Sequence, residues 1–281
     1  MFVIMHIKMT LYSIPHKLYK AIIIKRPSAT CKTPYVADVY IPELDLHTMA
    51  HSPSLGCCGL ADKDHEVMVH EQTNKKTVCK YVIMLSHIYD KNTNIYVGIH
   101  PKLAETLVEQ ALIHSKIPGL ENLREIQREK KYLNSRFDFI GINENGDNFI
   151  LEVKSVPLSD YDDISAKERK NKDYSEYNIY DKVAYFPDGY RKNKGALVSP
   201  RALKHIQELE EITKTTNIKT YLCYVVQRED ANRFQTSILD PIYKEAVKKA
   251  SESGVNIITL QMKWDAQGNC DLISNNLLTH L

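Results

Sequence analysis

The sequence predicts an α/β protein of the α+β kind, with a small β-barrel followed by a larger α/β domain. Three observations predict this class. Short strand patterns separated by Pro and Gly occupy the first third, a β-hairpin pattern lies at the centre, and two helices alternate with apolar strands in the last third. We place the two domains at residues 1–90 and 91–281, a division that a chain of 281 residues allows.

The first domain is predicted from its strands. They cover residues 20–25, 35–41, 66–70 and 77–87, with Pro and Gly between them. Several short strands without a helix are typical of a small barrel such as the oligonucleotide-binding fold, whose exposed face binds single-stranded nucleic acid. Six basic residues are candidates for the rim of that face: Lys25, Arg26, Lys32, Lys75, Lys76 and Lys80. Solvated turns explain these residues equally well.

The apolar period changes after a strand at 94–99. Apolar residues recur at helical spacing from Pro101 to about His114, and Pro118 with Gly119 ends that helix. A strand at 123–130 follows it and precedes the hairpin.

The central hairpin consists of two apolar runs, 136–142 and 148–156, that flank the turn sequence N-E-N-G-D. With the turn centred on its second Asn, Asp138 lies opposite Glu152, and directly opposed residues have Cβ atoms about 5 Å apart. Lys154 projects from the same face as Glu152, two residues further along the strand. Two carboxylates and one ammonium are therefore predicted to converge.

Converging carboxylates are hard oxygen ligands suited to Mg²⁺ or Mn²⁺, and a metal held there can polarise a phosphodiester and activate a water molecule. The ammonium of Lys154 would orient that water or stabilise charge on the phosphate. The alternative is that Glu152 and Lys154 form an ordinary surface pair and that Asp138 is incidental. The pairing register decides, since a slip of one residue would put the two carboxylates on opposite faces.

The segment 159–182 carries mixed charge and little periodic apolar content, which predicts a mobile loop. Its three tyrosines, Tyr174, Tyr177 and Tyr180, are candidates for stacking on bases, although composition alone also explains them.

Two helix starts are recognisable in the last third. Ser199 precedes Pro200 and Asp240 precedes Pro241, in each case an N-cap residue followed by proline at the first helical position. Apolar strands alternate with these helices at residues 219–227 and 255–264.

The composition limits the partners, the location and the cysteine chemistry that we expect. The chain has 43% hydrophobic and 26% charged residues and a net charge of only +2, so a polyanionic partner would need a local basic patch. The first apolar run is broken by His6 and Lys8, and no run is long enough to cross a bilayer, so we expect a soluble, cytoplasmic protein. The six cysteines show no C-x-x-C spacing, which favours reduced thiols over a zinc site or a disulfide framework.

Several blocks together resemble one family, the sugar fermentation stimulation proteins (SfsA). The blocks are K-R-P-S-A at 25–29, M-A-H-S-P-S-L-G-C-C-G-L at 49–60, V-G-I-H-P-K-L-A-E-T-L-V at 97–108, N-S-R-F-D-F at 134–139, L-E-V-K-S-V-P-L at 151–158, Y-F-P-D at 185–188, L-K-H-I-Q-E-L at 203–209, V-V-Q-R at 225–228 and D-P-I-Y at 240–243. The resemblance implies an oligonucleotide-binding barrel joined to a restriction-endonuclease-like domain of the PD-(D/E)xK type. It also implies DNA binding and a regulatory role in sugar metabolism.

Carried over residue by residue, the resemblance assigns Asp138, Glu152 and Lys154 as catalytic. It gives Glu129 and Asp188 as further metal positions beside Asp138 and Glu152. The nucleic-acid-binding candidates are Arg26, Ser135, Arg136, Lys204, His205, Gln227 and Arg228. The chain departs from the family pattern at Ser54 and Leu55, where the family has Asn and Thr, and in extra residues at 159–182 and 189–198.

Three functions follow as hypotheses. The first is a nuclease that uses Mg²⁺ or Mn²⁺ to hydrolyse DNA. The second is a DNA-binding regulator with a nuclease fold and no turnover, and the third is a noncatalytic interaction module. The complete Asp, Glu and Lys set favours the first. The sequence leaves open whether the chain cleaves, which strands of DNA it prefers and whether it forms a homodimer.

Overall fold

A computed structural model of the chain describes residues 10–52, 59–74, 77–187 and 198–281. The chain divides into two compact units. The first comprises the described residues up to Leu103 together with Gln227–Glu229 and Met262–Ile273, and the second comprises the other described residues from Ala104 to Leu281. The division into a nucleic-acid-binding domain at 1–90 and a nuclease-like domain at 91–281 stays a prediction, because it also assigns a function to each part.

The elements of the described residues are, in chain order, β1 (Thr10–Ser13), β2 (Tyr19–Lys25), β3 (Val36–Ile41), β4 (Leu46–His51), β5 (Glu66–Glu71), β6 (Tyr81–Asp90), β7 (Thr93–Gly98), α1 (Pro101–Ile113), β8 (Leu123–Tyr132), β9 (Ser135–Asn143), β10 (Asn148–Val156), β11 (Ser159–Asp160), α2 (Ala166–Arg169), β12 (Lys182–Phe186), α3 (Pro200–Thr215), β13 (Lys219–Val226), β14 (Ala231–Thr236), α4 (Pro241–Glu252), β15 (Asn256–Trp264), β16 (Asn269–Ser274) and β17 (Thr279–His280). Each predicted strand and helix is present, with ends that differ by a few residues. The sequence did not reveal several short strands, among them β4, β12 and β14.

Five strands of the first unit close into a ring. β4, β3, β2, β5 and β6 pair in that order, antiparallel at each step. β6 then pairs with β4 in parallel, Ala50 opposite Tyr81, which closes the ring. Alternate residues bury apolar side chains: Ala21, Ile23, Val39, Ile41, Val67, Val69, Ile83 and Leu85. The ring confirms the predicted small barrel and has the five strands of an oligonucleotide-binding fold.

The second unit contains the hairpin within a mixed sheet. β8, β9 and β10 pair antiparallel, while β10 with β13 and β13 with β15 pair in parallel. Helices α3 and α4 pack on this sheet through one apolar cluster that includes Ile150, Leu222, Tyr224, Ala202, Ile206, Leu209, Tyr243, Val247 and Ala250. Parallel strands covered by helices confirm the predicted α/β layer.

Both predicted N-caps are present. The side chain of Ser199 accepts a hydrogen bond from the backbone N–H of Ala202, and that of Asp240 accepts one from the N–H of Tyr243. Each cap satisfies a backbone donor that the first helical turn leaves unpaired, so α3 and α4 begin where the sequence predicts.

The segment 159–182 is more structured than a loop. It forms β11, the single turn α2 and a second short turn at Ile179–Asp181, and β11 joins a small sheet with β12, β14 and β17. Three tyrosine rings pack together with centroids 5.0 to 5.5 Å apart: Tyr161 stacks on Tyr174, and Tyr177 meets the two at an angle. Aromatic contacts between tyrosines at irregular spacing produce no helix or strand period, which is why the sequence predicted a loop here. The mobility of the segment stays a prediction.

No helix among the described residues is both long enough and apolar enough to span a bilayer. Cys31, Cys79, Cys223 and Cys270 are free thiols, as the sequence predicts. Cys57 and Cys58 lie outside the described residues.

Candidate active site

The two predicted metal-binding carboxylates lie where the hairpin ladder ends. β9 and β10 pair from Asn148–Ile142 to Leu151–Phe139, in the register that the sequence predicts. The next residues along the two strands are Asp138 and Glu152. Both therefore flank the point at which the two strands stop pairing.

Glu152 is almost completely buried, with 2% of its surface exposed. One of its oxygens, Oε1, accepts hydrogen bonds from Lys154 Nζ and from His205 Nδ1. The other oxygen, Oε2, is buried and has no hydrogen-bond partner among the described residues. A buried oxygen without a partner costs about 1–3 kcal/mol, so this atom needs an explanation.

The electrostatic state of Glu152 is set by those two donors. Burial opposes its ionisation, but the positive charge of Lys154 and the hydrogen bond and charge of His205 outweigh burial and lower the pKa of Glu152 below its ordinary value. Glu152 is therefore a carboxylate at neutral pH.

Asp138 has the opposite shift. Its Oδ2 accepts a hydrogen bond from the backbone N–H of Val153 at 2.7 Å. Burial, together with repulsion from Glu152 and Glu105, nevertheless raises the pKa of Asp138 from 3.8 to about 7. At neutral pH the second carboxyl is thus partly protonated, because the N–H of Val153 and the charge of Lys154 only partly offset burial and the neighbouring negative charges.

Helix α3 supplies two of the predicted phosphate contacts, and it turns them in different directions. Lys204 has 52% of its side chain exposed, and its Nζ donates to the backbone oxygen of Asn134 in the β8–β9 turn at 2.9 Å. His205 is only 4% exposed and faces Glu152, with its ring centroid 5.9 Å from that of Phe137. Lys204 is thus accessible to a phosphate, whereas His205 is buried against Glu152; the part of each in binding nucleic acid stays a prediction.

Three other predicted residues lie on or beside the β8–β9 turn. Ser135 is buried, and its Oγ has no hydrogen-bond partner among the described residues. Arg136 is exposed and forms an ion pair with Glu129 at 3.2 Å. Glu129, predicted as a metal ligand, has a positive φ of 51° and turns its carboxylate to Arg136. Its role at the metal stays a prediction.

The remaining predicted residues belong to the first unit or lie outside the described residues. Asp188, a predicted metal ligand, lies outside the described residues. Arg26 belongs to the first unit, where its guanidinium donates to the backbone oxygens of Pro34 and Ala61. Such bonds brace a loop of the barrel.

Gln227 and Arg228 are also residues of the first unit, and both are buried. The side-chain oxygen of Gln227 accepts a hydrogen bond from Trp264 Nε1 at 3.0 Å. Its backbone oxygen accepts one from the N–H of Gly98, where a Cβ atom would lie 2.3 Å from the Gln227 side chain. Gln227 thus packs so closely against Gly98 that no side chain would fit at position 98. The part of Gln227 in binding nucleic acid stays a prediction.

Sequence reasoning missed Glu105, on α1, which adds to the negative charge that Asp138 experiences. Arg128 on β8 holds Glu105 at 3.1 Å and Glu109 at 2.9 Å. The i,i+4 spacing of these two glutamates is visible in the sequence, but the contact between α1 and β8 that brings Glu105 toward Asp138 is not.

The residues present fit a divalent metal ion of the Mg²⁺ type. The described residues contain no group of three or more His, Cys, Asp or Glu placed to hold a metal ion. Mg²⁺, however, is held by one or two carboxylates, with water and substrate phosphate completing its coordination. A cation between Asp138 and Glu152 would give Oε2 of Glu152 a partner and would offset the burial and the repulsion that raise the pKa of Asp138.

Comparisons with known proteins agree on one family. Residues 102–268 match the family model described as "Sugar fermentation stimulation protein RE domain". A sugar fermentation stimulation protein homolog of Alteromonas mediterranea is 30% identical over 241 residues, which cover 83% of this chain and 87% of that protein. The homolog of Clostridium tetani is 28% identical over 236 residues, with 83% and 88% covered.

A solved structure has the same fold. It is that of Pyrococcus furiosus SfsA in complex with Ca²⁺, which superposes with a TM-score of 0.75 at 19% identity and covers 97% of this chain and all of the other. The likeness therefore extends over both units, each with its own set of strands.

Proposed function

Because the chain belongs to the sugar fermentation stimulation protein family, we propose that it binds DNA and hydrolyses phosphodiester bonds with the help of a divalent metal ion. Mg²⁺ or Mn²⁺ is the proposed metal, and Asp138 and Glu152 are its proposed ligands. The proposal places the protein with DNA in the cytoplasm. Whether it acts as a homodimer stays a prediction.

One observation carries this proposal. Oε2 of Glu152 is buried without a partner, beside a second carboxyl whose pKa is raised to about 7 by burial and by repulsion. Buried carboxylate oxygens are usually hydrogen-bonded; Oε2 of Glu208 is another exception among the described residues, so the proposal rests on the unpartnered oxygen of Glu152 together with the raised pKa of Asp138. A bound cation would account for both features, and the presence of Ca²⁺, another cation that prefers oxygen ligands, in the Pyrococcus furiosus relative supports the proposal.

The residues around the carboxylates have separate roles. A metal ion, when bound, would stabilise negative charge on the phosphate and lower the pKa of a bound water. Lys154 keeps one N–H bonded to Glu152 and has two more to offer to water or to a phosphate oxygen. Lys204 and Arg136, both exposed near the β8–β9 turn, are placed to bind the phosphates that flank the bond to be cleaved.

The test compares wild type with Asp138→Asn. Purified proteins are assayed on single-stranded, double-stranded and branched DNA, with Mg²⁺, with Mn²⁺ and with chelator. We expect metal-dependent cleavage by wild type and a loss of at least about 10³-fold in the variant, equivalent to about 4 kcal/mol in the activation barrier. Asp147→Asn is the matched control, because Asp147 is an exposed carboxylate of the same hairpin that pairs with Lys219; its cleavage rate should equal that of wild type.

The regulator hypothesis predicts a different result. DNA binding would then be present in all three proteins and would weaken steeply with salt, because Lys and Arg contacts release counterions from the phosphates. No substrate would be cleaved faster by wild type than by Asp138→Asn. That outcome would overturn the nuclease proposal and leave DNA binding without turnover.

A further inference from the structure

We infer that His205 is a positioning residue: it holds Oε1 of Glu152 so that Oε2 is the oxygen presented to the metal ion. This inference rests on the proposed function, since it concerns the same site. It changes the role of the K-H pair that the family resemblance assigns to phosphate. Lys204 would keep that role, and His205 would act on the metal through Glu152.

The first argument is the division of partners between the two oxygens of Glu152. Oε1 accepts two hydrogen bonds, from Lys154 and from His205, whereas Oε2 accepts none. The terminal torsion of a glutamate is broad, so an unrestrained carboxylate exchanges its two oxygens freely. Because the two oxygens are chemically equivalent, two donors on one of them fix the plane of the carboxylate and the direction in which the other oxygen points.

The second argument is the rigidity of the imidazole. The ring of His205 is buried, lies against Phe137 at a centroid distance of 5.9 Å, and is carried by a helix whose start is fixed by the Ser199 cap. Lys154 reaches Glu152 at the end of a flexible four-carbon chain. Of the two donors, His205 is therefore the one that defines the orientation of the carboxylate.

The third argument is accessibility. His205 is 4% exposed, while its neighbour Lys204 has 52% of its side chain exposed. Successive residues of a helix point about 100° apart, so one helix can send Lys204 to the surface and His205 to the interior. A side chain that contacted phosphate directly would need to share the exposure of Lys204.

The size of the effect follows from other metal sites. Residues that orient metal ligands typically contribute 10- to 100-fold in metal affinity when they are removed. His205→Leu and His205→Asn are nearly the same shape, but only Asn retains a donor close to the position of Nδ1. We expect Mn²⁺ to bind His205→Leu 10- to 100-fold more weakly than wild type and His205→Asn within about threefold of wild type.

The experiment measures Mn²⁺ binding without DNA, by titration calorimetry and by the electron paramagnetic resonance signal of free Mn²⁺. Wild type, His205→Leu, His205→Asn and the control Lys204→Ala are compared after circular dichroism has verified their fold. DNA affinity in chelator is measured in parallel. It should be unchanged in both His205 variants and reduced in Lys204→Ala.

Each outcome of these measurements either supports the proposed role of His205 or overturns it. Equal Mn²⁺ affinity in wild type and His205→Leu overturns the inference, and so does a loss of DNA affinity in chelator for His205→Leu, which would make His205 a phosphate contact. If His205→Leu does not fold, His205→Asn decides, since a loss of Mn²⁺ binding comparable to that of Asp138→Asn would contradict the role of the donor. Mn²⁺ binding with the expected pattern but no cleavage would overturn the proposed function and leave the role of His205 intact.

Discussion

Asp163 and Glu152 are both carboxylates buried in the second unit, but their surroundings differ. Asp163, 5% exposed, has both oxygens satisfied: Oδ1 accepts from Ser237 Oγ at 2.9 Å, and Oδ2 accepts from Gln235 Nε2 and from the backbone N–H of Ile238, each at 2.8 Å. Glu152 has two donors on one oxygen and none on the other.

Two ion pairs of the second unit show the same contrast between matched and unmatched carboxylates. Lys182 and Asp230 form a buried ion pair at 3.0 Å. Lys154 and Glu152 also form a buried ion pair, but Asp138 adds a second carboxyl whose pKa is raised by burial and by Glu152. Asp163 and Asp230 are matched by donors, whereas Glu152 leaves one buried oxygen without a donor beside a second carboxyl.

The difference in hydrogen-bond partners between Asp163 and Glu152 is a criterion for recognising a candidate cation site. Leaving a buried oxygen without a donor and placing two carboxyls together both reduce stability. A bound cation removes both costs, so the mismatch is explained if the hairpin evolved to hold one. A carboxylate such as Asp163, whose two oxygens both accept hydrogen bonds, needs no metal ion to complete its contacts.

The largest effect on stability that this contrast predicts is at Asp163. Asp163→Asn removes the negative charge and replaces one acceptor oxygen by an amide N–H group. At least one of the three donors around Asp163 then faces another donor, so we expect a loss of about 3 kcal/mol in the free energy of unfolding. Urea denaturation measures it. Asp162→Asn is the control, since Asp162 is a more exposed neighbour that pairs with Lys172 and should lose less than about 1 kcal/mol.

An equal loss in both variants would show that burial does not separate these two acids. Nuclease activity at a temperature where Asp163→Asn is folded should be that of wild type. Asp138→Asn is expected to show the reverse pattern, with activity lost and the fold retained, which is what separates a site residue from a structural one.

The sequence predicted the hairpin and its register because both depend on local signals: an N-E-N-G-D turn, two apolar runs and period-2 alternation. It also predicted the caps at Ser199 and Asp240 for the same reason. The role of Asp163 could not be predicted, since its partners are 72 to 75 residues away.

The orientation of His205 was missed for a different reason. Lys204 and His205 are both polar and the family resemblance gives them the same predicted role, but the helix buries His205 and exposes Lys204. Polarity identifies the face of a helix only when polar residues avoid the interior. A buried carboxylate such as Glu152 draws a polar side chain inward, and nothing in the sequence shows that attraction.

The second prediction concerns the stability of Asp138→Asn as a function of pH. The pKa of Asp138 is about 7 in the folded chain against an ordinary value of 3.8, so the folded state resists ionisation of this group. As pH rises from about 4 to about 7, the unfolded chain releases the proton first and the wild type loses stability. The full change corresponds to about 4 kcal/mol, and partial exposure of Asp138 to water makes about 2 kcal/mol the expected gain.

The measurement is the difference in unfolding free energy between Asp138→Asn and wild type, in chelator, at pH 8 and at pH 4.5. The gain should be greatest at pH 8 and shrink toward pH 4.5, and any pH-independent effect of the amide cancels in the comparison. Asp147→Asn serves again as the control, because the exposed Asp147 carries no such penalty. A gain that did not change with pH would show that Asp138 is not held protonated by its surroundings.

The smallest predicted effect is the stabilisation of wild type by Mn²⁺. It tests Asp163 and the hairpin carboxylates in the same measurement. A ligand that binds only the folded state at ten times its dissociation constant adds about 1.4 kcal/mol to the free energy of unfolding. We expect this gain in wild type and in Asp163→Asn, whose hairpin is intact, and not in Asp138→Asn. Thermal unfolding with and without Mn²⁺ at constant ionic strength measures it.

The pH dependence of that gain identifies the group involved. At pH 8 Asp138 is ionised and accepts the metal without releasing a proton, whereas at pH 6, below its pKa of about 7, the metal must displace the proton first. The Mn²⁺ gain should therefore be smaller at pH 6, by about 1 kcal/mol at a fixed Mn²⁺ concentration, because the apparent affinity falls about tenfold between the two pH values. Stabilisation that is the same at both pH values, or that persists in Asp138→Asn, would place the metal elsewhere on the chain and would leave the unpartnered oxygen of Glu152 without a cation to explain it.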